Sequence, residues 1–190
     1  MLYGAAEFSR DVDLCLPEDP GTLERLRRAA DELEAEVVAV PPFRPEHLAE
    51  GLAVHFRCRH PDVAGLRIDV ITRMRGVEGF DALWSRRTTF TFADEVVEAL
   101  SLPDLVAAKK TQRDKDWPMI ARLVEGNYFT FRDEATGERL RFWLLELRAP
   151  ALLVEVAGRH PDEARALAAV RGLLASATPD GLASGELGRA

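Results

Sequence analysis

From Phe8 to Leu16 the chain alternates. Phe8, Arg10, Val12, Leu14 and Leu16 fall on one side, Ser9, Asp11, Asp13 and Cys15 on the other. A period of two is that of a strand, and Pro17 stops it. Asp19-Pro20 then marks a helix start, with Asp as N-cap and Pro in the first turn. Leu23, Leu26, Ala30 and Leu33 recur on one helical face as far as Glu34. Residues 36–40 predict a short buried strand, closed by Pro41-Pro42. Residues 52–58 alternate again, 61–65 turn, and 66–72 form another strand; the pair predicts a hairpin. After a loop over 75–79, residues 80–84 predict one helical turn. Two more short strands follow over 88–92 and 95–100, joined at Ala93-Asp94.

Helices dominate thereafter. Ser101-Leu102-Pro103-Asp104 resembles a capping box with Asp in place of Glu. Leu105, Val106 and Ala108 supply the apolar face of the helix it opens, and Lys109 and Lys110 follow. Asp114 is expected to cap a further helix that tolerates Pro118 in its first turn, buries Ile120, Leu123 and Val124, and ends at Gly126. Helical patterning resumes over 138–147, 151–156 and 162–174. Pro179, Gly181, Gly185 and Gly188 then mark a frayed end. The expected class is α+β: a mixed sheet flanked by helices over 1–126, a helical extension over 127–175, and a flexible tail over 176–190.

Composition narrows the function classes. The chain has 190 residues, 47% hydrophobic and 30% charged, enough apolar material for a real core. No apolar run approaches the roughly 18 residues of a membrane span. The start carries no basic and apolar leader, and Cys15 and Cys58 make no disulfide framework. A cytoplasmic protein with reduced thiols and no membrane partner is therefore expected. Net charge is −7, from 25 basic and 32 acidic residues. Residues 1–50 hold 12 acidic and 5 basic side chains, which accounts for all of it. Extended contact with a nucleic-acid backbone is not expected of such a chain.

The chemistry centres on Asp11-Val12-Asp13. A strand points residues i and i+2 to the same face, about 7 Å apart, so both carboxylates can face one hard cation, which takes oxygen ligands. A site for two metals wants a third carboxylate from a neighbouring strand. Asp69 suits this, since Leu66, Ile68 and Val70 face the core and Asp69 lies opposite. A carboxylate between Ile68 and Val70 is costly to desolvate without a cation or donor beside it. The plain alternative is that Asp-x-Asp decorates a solvated strand face. Cys58 with His55 and His60 lacks the second ligand pair of a zinc site. Cys15 reads as a small core residue, and Trp84, Trp117 and Trp143 as packing anchors.

The run Gly4-Ala5-Ala6-Glu7-Phe8-Ser9-Arg10-Asp11-Val12-Asp13-Leu14 resembles the signature of the nucleotidyltransferase superfamily, whose fold is that of polymerase beta. Small bacterial members carry a Gly-Tyr-type turn before Thr/Ser-x-Asp-hydrophobic-Asp-hydrophobic. Asp69 matches the third carboxylate. The stretch from Ser101 to Lys110, with Arg113-Asp114-Lys115-Asp116 after it, resembles the helix pair that follows the core. The likeness covers about residues 3–126. It implies a catalytic and metal-binding set of Asp11, Asp13 and Asp69, holding Mg²⁺ or Mn²⁺. A nucleoside triphosphate would be the substrate, with Ser9, Lys109, Lys110 and Arg113 near the nucleotide. Its monophosphate would pass to an acceptor hydroxyl on a small molecule, a tRNA or a protein, releasing pyrophosphate.

Two departures qualify the resemblance. The family's phosphate-touching Gly-Gly or Gly-Ser lies ten or more residues before Asp-x-Asp, whereas Gly4 stands seven before Asp11. The core is thus expected to lack the family's first strand and helix, leaving a sheet edge open to pairing as a homodimer. Glu7 also stands where many relatives carry Arg. Three functions follow as expectations: a nucleotidyltransferase; a non-catalytic relative that binds a nucleotide or a partner, toxin–antitoxin proteins being among the relatives; or a two-metal phosphodiesterase.

Overall fold

The computed structural model describes residues 2–4, 11–110 and 114–181. Two compact units divide it, Met1–Gln112 and Arg113–Ala190. The class is α+β, with a mixed four-stranded sheet and a two-stranded one.

The first unit opens with strand β1 (Asp11–Cys15), followed by helix α1 (Pro20–Glu32). Asp19 caps α1 as its sequence suggests, its side chain accepting from the Thr22 N–H at 2.8 Å. Then come β2 (Glu36–Val37), α2 (Pro45–Ala49), β3 (Val54–Arg57) and β4 (Arg67–Ile71). The sheet order is β1-β4-β3-β2. β1 runs parallel to β4, while β3 pairs antiparallel with both β4 and β2. The expected hairpin is therefore β3–β4. It turns through Gly65, which sits at φ +84°, a conformation that favours glycine.

One face of this sheet is apolar. Val54, Phe56 and Val70 pack with Leu23 of α1 and Leu48 of α2, and Leu14, Leu26, Phe43 and Ile68 close around them. The Phe43 and Phe56 rings meet edge to face, centroids 5.5 Å apart. The strand expected over 36–40 is shorter and less buried. It pairs on one side only, ends at Val37, and leaves Val40 89% exposed beside the two prolines.

Helix α3 (Phe80–Ser85) leads into the expected pair of strands, β5 (Thr88–Phe92) and β6 (Glu95–Ala99), a separate two-stranded sheet. Helix α4 (Leu102–Lys110) closes the unit. Ser101 Oγ accepts from the Asp104 N–H at 3.3 Å, half of the capping box that the sequence shows.

The second unit is helical: α5 (Trp117–Phe131), α6 (Gly137–Glu146), α7 (Pro150–Arg159), α8 (Pro161–Leu167) and α9 (Leu173–Ala177). Helix α5 does not stop at Gly126. Ile120, Val124 and Tyr128 repeat at helical spacing and all are buried, so the apolar face runs through the glycine. The helix expected over 162–174 is two, α8 and α9. Trp143 is the anchor of this unit, edge-on to Tyr128 at 5.3 Å and donating from Nε1 to Asn127 Oδ1 at 2.8 Å. Trp84 and Trp117 are not buried anchors, being 46% and 36% exposed; Trp84 instead stacks on Phe80 and lies under Arg87. Ala177 and Thr178 are buried, and residues 182–190 lie outside the described ones. Among the described residues no helix is long and apolar enough to cross a membrane.

Candidate functional site

The face of the four-stranded sheet opposite the core is polar, and strand register decides what meets there. The parallel pairing sets Asp13 against Asp69 and Asp11 against Arg67. The antiparallel pairing sets His55 against Asp69 and Arg57 against Arg67. Residues paired across strands share a face. Asp11, Asp13, His55, Arg67 and Asp69 therefore stand together, while Leu14, Val54, Phe56, Ile68 and Val70 face the core. This is the arrangement that alternation in β1 and β4 leads one to expect for the three carboxylates.

Asp69 is at the centre. Its side chain is 18% exposed. Arg67 grips it with both prongs, Nε donating to Oδ1 at 2.7 Å and Nη2 to Oδ2 at 2.8 Å. His55 Nδ1 lies 2.8 Å from the same Oδ1 and 3.1 Å from Arg67 Nη2. Partial burial works to raise the Asp69 carboxyl, but the hydrogen bonds from Arg67 and His55 outweigh it and hold it below the ordinary carboxylate value. The Arg67 guanidinium is raised in turn, chiefly by its bonds to Asp69, with the charges of Asp11 and Asp13 adding to the effect.

Asp13 meets a different cation. Lys109, near the end of α4, brings Nζ to 3.4 Å from Asp13 Oδ2. The lysine is 20% exposed and the aspartate 63%, so the carboxylate remains open to solvent. Lys110 is next along α4 and half-buried. Ser9 and Arg113 lie outside the described residues. Cys15 is half-buried, and burial pushes its thiol up, away from nucleophilic character. Cys58 is buried, whereas His55 faces the polar side and bonds to Asp69, and the His60 ring accepts from the Asp62 N–H. These three do not converge on a zinc ion.

Three carboxylates from two adjacent strands are, in kind, the donor set of a hard cation such as Mg²⁺ or Mn²⁺. Asp11, Asp13 and Asp69 thus fit such an ion chemically. Yet among the described residues no three His, Cys, Asp or Glu side chains are gathered as ligands of one ion. Among the described contacts, Arg67 and Lys109 bring positive charge to these carboxylates. Sequence reasoning missed Arg67 and gave His55 no part here. Their signal was present: Arg67 is two residues from Asp69 on one strand, and His55 alternates with Val54 and Phe56. What it lacked was the β3–β4 register.

Compared with known proteins, the chain matches no family model and no curated protein.

Proposed function

We propose that the protein is a nucleotidyltransferase, moving a nucleoside monophosphate from a nucleoside triphosphate to an acceptor hydroxyl. The observation that supports this reading best is the parallel register that sets Asp13 beside Asp69, with Asp11 on the same face and the core behind. Asp11, Asp13 and Asp69 would hold Mg²⁺ or Mn²⁺, and such ions stabilise the attacking and leaving oxygens of an in-line displacement. Asp69 is poorly suited to be the base, because its neighbours hold it ionised at low proton affinity. Its role is that of a fixed negative charge. Lys109 places an ammonium at the edge of the carboxylates, where it can meet a phosphate oxygen. The acceptor is a small molecule, a tRNA or a protein.

A second reading has its own support. Both Asp69 oxygens are already engaged by Arg67, as they would be in a relative that binds nucleotide without turning it over. Calorimetric titration of a non-hydrolysable nucleoside triphosphate with Mg²⁺ tests both. Under the transferase reading the chain binds, and an Asp11→Asn, Asp13→Asn double variant does not. Binding that survives the double variant supports the second reading. A folded wild-type chain that binds nothing defeats both.

A further inference from the structure

The most heavily engaged carboxylate of the polar face is held by an arginine of its own strand. Arg67 is 43% exposed at its side chain, so its grip on Asp69 is not locked by packing. Its two-pronged geometry matches a carboxylate as a lysine would not. The same guanidinium also feels Asp11 and Asp13. It therefore supplies positive charge to all three acids at once, which is the electrostatic task of a divalent cation on such a face. Asp13 has a second partner in Lys109, but Asp69 has only Arg67 and His55 among the contacts described for it.

We infer that Arg67 is a built-in counter-ion that competes with the divalent metal for Asp69, so that metal binding requires the guanidinium to swing off the carboxylate. This rests on the transferase reading of the three aspartates. It assigns Arg67 a gating role that the carboxylates alone do not imply. While Arg67 holds Asp69, that carboxylate's charge is already compensated. An ion is held more tightly when something else compensates Arg67, and the phosphates of an arriving nucleotide are suited to do so. Metal and nucleotide would then bind with positive coupling, each favouring the state in which Arg67 has left Asp69.

Mn²⁺ is the probe, titrated into the full-length chain and read by the loss of its free paramagnetic signal. Arg67→Met keeps the apolar stem and removes the charge. It is expected to tighten Mn²⁺ binding by about tenfold, the weight of one two-pronged, partly exposed ion pair. The gain should vanish when Asp13→Asn is added. Arg67→Lys, which keeps the charge but not the paired grip, should fall between. In the wild-type chain the Arg67 Nε–H resonance should move and exchange faster on adding Mg²⁺, a readout that needs no variant to fold. If wild type binds Mn²⁺ through Asp11 and Asp13 but Arg67→Met binds no tighter, the counter-ion role is wrong and the metal site stands. If neither chain binds Mn²⁺, the metal-dependent reading fails, and the counter-ion role with it.

Discussion

Asp104 repeats, at a second place in the first unit, the pattern seen at Asp69. Its side chain is 10% exposed, and Arg86 grips it by Nε at 2.7 Å and Nη2 at 2.9 Å while Ser101 Oγ donates at 2.6 Å. Burial works to raise this carboxyl, but Arg86 and Ser101 outweigh it and hold it below the ordinary value. A folded-state value below the unfolded one stabilises the protein above the unfolded value, and the contribution is lost as pH falls through the folded one. Arg86→Met should therefore destabilise the chain by about 1–2 kcal/mol near neutral pH, since a largely buried carboxylate loses its main donor. Urea midpoints of wild type and variant should converge as pH drops below about 4, the ordinary carboxylate range. A gap that stays constant to pH 3 would count against the pairing. Residue patterns carried some of this in advance. Ser101 and Asp104 were legible as a cap, and the three aspartates as one face. Arg86 and Arg67 were not, because which arginine reaches which carboxylate depends on rotamers and register that a linear pattern does not encode.

At the scale of elements, the legible parts were those whose signal is local. Asp19-Pro20 caps α1, alternation marks β1, β3 and β4, and the turn at Ala93-Asp94 separates β5 from β6. Two of the differences share one cause, which is tertiary context. Residues 36–40 have the composition of a core strand but occupy the outer position of the sheet, so Val37 is 39% exposed where burial was expected. Gly126 was read as a stop, yet nothing lies within 4 Å of where its Cβ would be and the helix continues to bury Tyr128. Helix α2 was missed; at five residues it has too few periodic positions to show, although Leu48 is fully buried. The same contrast sets a mutational expectation. Phe56→Ala, in the apolar layer between sheet and helices, should cost roughly 3–5 kcal/mol. Val37→Ala on the outer strand should stay within about 0.5 kcal/mol. Chemical denaturation of the two variants measures both, and equal costs would mean that the core extends over the outer strand as well.

On the scale of the whole molecule, each unit carries its own core and its own reporter. Cys58 is 1% exposed in the first, and Trp143 is 1% exposed in the second. A bulky thiol reagent should leave Cys58 unlabelled under native conditions, whereas half-buried Cys15 is open to slow attack. Phe56→Ala, two residues away along the chain, should speed Cys58 labelling by weakening the sheet around it; unchanged protection would show that Cys58 does not report on that core. The sheet order adds a consequence in time. β4 lies between β1 and β3 and is the last of the four strands in the chain. A ribosome releases residues 11–15 long before residues 67–71, and until the latter emerge β1 has no partner for its backbone. Two of the three carboxylates therefore leave the ribosome early on an unpaired strand. The third arrives with its own arginine two residues ahead of it, so Asp69 is charge-balanced from the moment it can fold, and the three carboxylates meet in one step, when β4 pairs with β1.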